Sequence, residues 1–271
     1  MMDFIYNGKA ASHFDLHISS DDTYGTAERV INEHQIPGKI PQIYLEDTHK
    51  LTPYQRTFEA ALVRCKDLPQ QTAAIKQWLM ADGQYHKLED TYQPDGYRMA
   101  IYNGGLPTSW MGANRRSLTF PIVFNCQPQF WLHSGERYHT ISQTTGELNL
   151  INPTGLKTYP VVQMGFYSTD PDTDAFGFAI WSETGPAGYC IAIDRVYEDY
   201  IRGHTFWIDC ATEEIWDENG RNSNHLFDIG GHLMISDWGA FMMMISAHSG
   251  SMVGSLTKDA LMQVQPRWWR W

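Results

Sequence analysis

His13 and His17, four residues apart in HFDLH, are the nearest approach in this chain to a metal half-site. Zinc needs further ligands, and a zinc protease would read HExxH. The stretch follows Asn7-Gly8 and reads as extended, which predicts two histidines on one strand face. Asp170, Asp172 and Asp174 in DPDTD begin like a calcium loop. Ala175 stands where that loop needs Gly, and Trp181 where it needs Glu, so a solvated acidic turn is expected instead. Glu213, Glu214, Asp217 and Glu218 are carboxylates of the kind glycoside hydrolysis uses in pairs across a cleft. They flank Asn219-Gly220, a turn signal, where solvated acids are ordinary. There is no GxSxG, GxGxxG or GxxxxGK[ST]. Cys65, Cys126, Cys190 and Cys210 are widely spaced, without CxxC, and read as buried reduced thiols. These residues predict no enzyme, no cofactor and no metal.

Aromatic residues offer a second chemistry. Trp181, Trp207, Trp216 and Trp238 are candidates for a sugar platform, with sandwich core or subunit interface as the plain reading. The stretch QPRWWRW (265–271) carries Arg267, Trp268, Trp269 and Arg270. Alone it looks like a membrane-active or nucleic-acid-binding patch. It is contiguous with LMQV, so it reads better as the end of a last strand, with arginine stems packed on Trp rings.

The elements that must position these residues are mostly strands. The chain has 271 residues, 42% hydrophobic, enough for a sizeable core in one large domain or two. Its 20 basic and 31 acidic residues give a net charge of −11, and no basic patch marks a phosphate binder. No apolar run reaches the length of a membrane span. MMDFIYNGK has neither the basic nor the apolar region of a signal peptide, so Sec export is not expected.

Turn signals such as Asp82-Gly83, Pro94-Asp95-Gly96 and Asn219-Gly220 separate short runs of β-branched and aromatic residues. Strands are predicted over 118–126, 159–167, 175–183, 189–197, 204–211 and 261–269. One helix is predicted near 69–82, with Ile75, Trp78 and Leu79 on one face and Gly83 as its left-handed cap. In 52–65, Tyr54, Phe58 and Leu62 fit a helix and a strand equally, because a spacing of four serves both. A polar, turn-rich stretch at 133–149 marks a boundary, giving domains 1–135 and 136–271.

In order and spacing these pieces resemble the distal tail proteins of long-tailed siphophages, often called Dit. FIYNGKAASHFDLHI (4–18) is similar to the family's opening strand pair, and IPGKIP (36–41) falls at its Pro-Gly turn. YQRTFEAALV (54–63) falls at a tyrosine-led strand with a central arginine, which favours strand there. AAIKQWLMADGQYHKLEDTYQPDGYRMAIYNG (73–104) resembles the family's Trp-Leu helix and hairpin. LTFPIVFNCQPQF (118–130) resembles the closing strand of the first domain. INPTGLKTYPVVQMGF (151–166), FWIDCATEEIWDENGRNSN (206–224) and VQPRWWRW resemble the second domain.

The resemblance implies a mostly β protein: an N-terminal β domain with one helix and a hairpin, then a galectin-like β-sandwich. It implies a virion protein at the distal end of a phage tail, forming a homo-hexameric hub with DNA passing through its centre. The major tail tube protein and the tail-associated tip protein would be partners, with receptor-binding, baseplate or tape-measure proteins beside them. Tyr85, His86, Pro94 and Asp95 in the 82–96 hairpin region, and Arg267 to Arg270, are the interface candidates. The alternative is a carbohydrate-binding, lectin-like module that contacts the host cell wall.

Overall fold

The computed structural model describes residues 2–20, 26–35, 43–111, 116–141, 147–166, 173–182, 185–193, 203–230, 235, 238–247 and 260–271. Of these, 19–20, 31–35, 43–49, 166, 173–182, 185–193, 228–230, 238–247 and 260 are described by backbone alone. Two compact units form, Met1–Trp131 with Trp271, and Leu132–Arg270.

The first unit is built on strands β1 (Phe4–Tyr6), β2 (Lys9–Ala10), β3 (Leu16–Ser20), β4 (Arg29–Gln35), β5 (Ile43–Leu51) and β6 (Tyr54–Leu62). Helix α1 (Leu68–Leu79) follows, then β7 (His86–Asp90), β8 (Gly96–Tyr102), β9 (Ser109–Met111) and β10 (Ser117–Leu132). The sheet order is β2-β1-β7-β8-β10-β6-β3, with β9 against β10 and with β4 and β5 paired apart. Alternation drives β10: Leu118, Phe120, Ile122, Phe124 and Cys126 are all buried, and their neighbours are half-buried. The ambiguous stretch is strand β6. It pairs with β10 from Tyr54↔Cys126 to Leu62↔Leu118, and it buries Arg56, Phe58, Ala60 and Leu62 at period two.

The helix ends earlier than the sequence suggests. Asp67 caps its start by accepting from Gln70 N, and Met80 N–H closes the last turn on Lys76 O. Gly83 (φ +68°) sits beyond, where Asp82 gathers Gln84 N and the His86 ring into a turn of its own. The buried face of α1 is Ile75, Trp78 and Leu79. The Trp78 ring stacks on Phe14 at 4.4 Å and Phe4 at 5.9 Å, and its Nε1 donates to Tyr6 O at 3.0 Å. Gly96 admits no side chain, since a Cβ there would stand 2.1 Å from Trp131 O.

The second unit holds β11 (His139–Thr140), β12 (Glu147–Ile151), β13 (Val161–Phe166), β14 (Thr173–Ser182), β15 (Gly185–Ile193), β16 (Thr205–Asp209) and β17 (Glu214–Asp217). It continues with β18 (Phe227–Gly230), β19 (Trp238–Ala247), β20 (Ala260–Gln265) and β21 (Trp269–Arg270). Two five-stranded antiparallel sheets result, β11-β20-β13-β16-β17 and β12-β19-β14-β15-β18. One core serves both sheets: Val162, Phe206, Ile208 and Val264 from the first meet Leu150 and Phe227 from the second. The Phe206 and Phe227 rings lie edge to face at 5.1 Å.

QPRWWRW does not continue the last strand, as its sequence suggests. Strand β20 stops at Gln265, because Pro266 has no N–H and Arg267 turns to φ +58°. Arg267 N donates to Gly135 O at 2.9 Å, and Trp268 O accepts from Leu132 N at 2.9 Å. The Trp268 ring enters the core. A Cβ on Gly135 would stand 2.2 Å from Trp268 N, so only glycine fits.

Candidate functional site

The register of the first sheet of the second unit aligns one residue from each of five strands. Thr140 pairs with Gln263, Gln263 with Gln163, Gln163 with Trp207, and Trp207 with Trp216. The adjacent row, Val264, Val162, Ile208 and Ile215, is fully buried. Alternation therefore turns the Gln–Trp row to the outer face, where its members are half-buried or exposed. Gln263 Nε2 donates to Thr140 Oγ1 at 3.0 Å, which orients that amide. Of the four platform candidates, Trp207 and Trp216 thus stand side by side. Trp181 and Trp238 lie on β14 and β19 of the other sheet, described by backbone alone.

Charges border this row in pairs. Arg267 Nη1 donates to both carboxylate oxygens of Asp209, at 2.8 and 2.9 Å. His204 Nδ1 lies 2.5 Å from Glu218 Oε1, and Thr205 N donates to Glu218 Oε2. The His204 contact holds the Glu218 carboxyl below its ordinary value. Asp217 is lowered by the N–H groups of Arg221 and Asn219. A glycoside acid needs a raised carboxyl, and these two move the other way. Glu213 occupies the β16–β17 turn at φ +57°, with Glu214 exposed beside it.

The other sequence candidates are placed as follows. His13 lies on a 3-10 turn (Ala11–Phe14) and His17 on β3, so the two do not share the strand face expected of them. Asp15, left-handed at φ +53°, breaks the extended run between them. No group of three or more metal-binding side chains occurs among the described residues. Asp170 and Asp172 lie outside the described residues, and Asp174 is on β14. The Cys126 and Cys210 thiols are buried. Burial pushes the Cys126 thiol up to about 12 and the Cys210 thiol up as well. Cys65 is half-buried.

Among the interface candidates, Tyr85, Pro94 and Asp95 are exposed at the turns flanking β7. The His86 ring contacts Asp82 Oδ1 at 2.7 Å and meets Tyr6 edge-on. Arg270 and Trp269 are half-buried, with Trp269 Nε1 donating to Lys157 O. Trp268 is committed to the core of its own unit.

One constellation lies outside the site candidates read from the sequence. Asp90, buried in the first unit, accepts through Oδ2 from Arg56 Nη2 at 3.3 Å and Arg98 Nη1 at 3.4 Å. Its Oδ1 accepts from the N–H groups of Tyr92 and Gln93. Arg98 also donates to Tyr54 Oη and Gln93 Oε1. Cation-over-ring contacts with Phe58 and Phe130 complete the surroundings of the two guanidiniums. This is a locking network for three strands, β6, β7 and β8.

No protein-family model and no curated protein sequence matches the chain. Solved structures do. The chain is similar to SPP1 Dit, a hub of the adsorption apparatus in phages that infect Gram-positive hosts, with a TM-score of 0.67 at 10% identity over 97% of this chain and 98% of that one. It is also similar to a chain of the phage p2 baseplate in its activated conformation with strontium, with a TM-score of 0.53 at 10% identity over 97% of each chain. The mostly β fold of both units is therefore shared with tail-hub and baseplate chains.

Proposed function

We propose that this chain is a structural protein of a phage tail, placed at the tail's distal end as a homo-hexameric hub. The observation that carries this reading is the fold likeness to SPP1 Dit, which runs through both units and nearly the whole of both chains. In this reading the first domain forms the ring, and the second projects outward to hold receptor-binding or baseplate proteins. The ring joins the major tail tube protein to the tail-associated tip protein. The tape measure and then the DNA pass through its centre without specific binding.

Two features support a ring. The first unit exposes large apolar side chains, among them Val63, Met80, Tyr92, Trp110 and Met111, the kind of surface a closed ring buries. Trp110 and Leu106 border an open groove of about 240 Å³ along α1. The net charge of −11 would repel a DNA polymer from the lumen wall if the wall carries its share.

Negative-stain electron microscopy of the purified chain, with mass by light scattering on the same sample, tests the proposal. Six-fold rings with an open centre are expected. A monomer both alone and after mixing with its tube and tip proteins overturns it.

A further inference from the structure

The outer row Thr140–Gln263–Gln163–Trp207–Trp216 is an arrangement that a ring hub does not require. Strands lie about 4.8 Å apart, so five aligned positions make a track about 19 Å long. One end is two directly opposed tryptophans, whose side chains stand about 5 Å apart at their Cβ atoms. The other end is two carboxamides and a hydroxyl. A carboxamide offers two donors and an acceptor, and a hydroxyl offers both roles. That is the complement of a row of alcohols. Tryptophan faces suit the C–H faces of sugar rings for the same electrostatic reason that they suit ring edges.

Charge decides which saccharide. The row itself is neutral. The carboxylates beside it are engaged, Asp209 by Arg267 and Glu218 by His204, and Glu214 stands exposed on the edge strand. A phosphate-rich or carboxylate-rich polymer would meet the exposed Glu214 carboxylate with repulsion. We propose that this face binds a neutral, linear saccharide laid across the strands, with sugar rings on Trp216 and Trp207 and hydroxyls on Gln163, Gln263 and Thr140. This goes beyond the hub reading and stands or falls apart from it.

The test uses the full chain. Maltohexaose, cellohexaose and a galactan hexasaccharide are titrated while tryptophan fluorescence and heat are followed. At least one is expected to bind. Trp216→Ala and Gln163→Leu should each weaken it by about tenfold, the second without loss of a ring or of packing volume. Thermal melts of the variants separate lost binding from lost folding. Failure of all three sugars to bind at millimolar concentration overturns the proposal, and so does binding unchanged in both variants. Capture of a protein partner that is lost in Trp216→Ala, with no sugar bound, also overturns it and makes the face a protein interface. Neither result bears on whether six-fold rings form.

Discussion

Arg267 grips Asp209 with a single nitrogen, Nη1, at 2.8 and 2.9 Å from the two carboxylate oxygens, while its own backbone sits at φ +58°. The pair ties the segment after β20 to the end of β16. Its side chains are 33% and 15% exposed, so water screens much of its worth. Arg267→Ala should lower stability by about 1 kcal/mol. Arg267→Gly should lose less, since glycine takes the left-handed backbone without strain. Urea denaturation of both variants checks the order.

Gly135→Ala should be worse than either. Its new methyl would meet backbone, Trp268 N at 2.2 Å, which cannot swing aside like a side-chain tip. Overpacking of this kind costs about 3 kcal/mol, and displacement of Trp268 from the core would add to it. The expected readout is a lowered melting transition for the second domain and a red-shifted tryptophan emission.

Asp90→Ala should strike the first domain. It strips the shared anion from Arg56 and Arg98, leaving two buried guanidiniums without their carboxylate. Removing one partner of a buried ion network costs about 3–5 kcal/mol. Hydrogen exchange should localise the damage to β6, β7 and β8.

Acid should loosen the edge of the second domain. The folded values of Asp217 and Glu218 lie below their ordinary values of 3.8 and 4.5. The unfolded chain therefore binds more protons as acidity rises through this range. Their contribution is present in full above about 4.5 and is lost as the pH falls through the folded values. Glu218→Gln should flatten part of the slope of melting temperature against pH below 4.5.

Thiol labelling should sort the cysteines by burial. At pH 8 and in the native state, iodoacetamide should spare Cys126 and Cys210, whose thiols are raised and enclosed, and should reach half-buried Cys65 first. Guanidinium should abolish the difference. Peptide mapping by mass spectrometry reads the result.

Strand β10 was legible where its alternation runs unbroken, from Leu118 to Cys126, and α1 because Ile75, Trp78 and Leu79 share one apolar face. The stretch 54–62 was ambiguous to periodicity, since Tyr54, Phe58 and Leu62 satisfy both repeats. Arg56 at a buried position is the residue that a surface-alternation reading misplaces. The β16–β17 turn is hidden because Glu213, not glycine or asparagine, takes its positive φ. The Asp90 network draws on three strands, so nothing local announces it. Four tryptophans were legible as aromatics, but their division between two sheets needed the register.

Closure of the second domain joins residues far apart along the chain: His139 pairs with Val264, and Leu148 with Phe241. Loop closure over such separations must be met before any pairing rewards it, which places this domain among slow folders, in the range of about milliseconds to seconds. Until β20 docks, the partly assembled sheets present unpaired edges to neighbouring chains. Yield from recombinant expression should therefore rise with slow synthesis and cold, before any question of ring assembly arises.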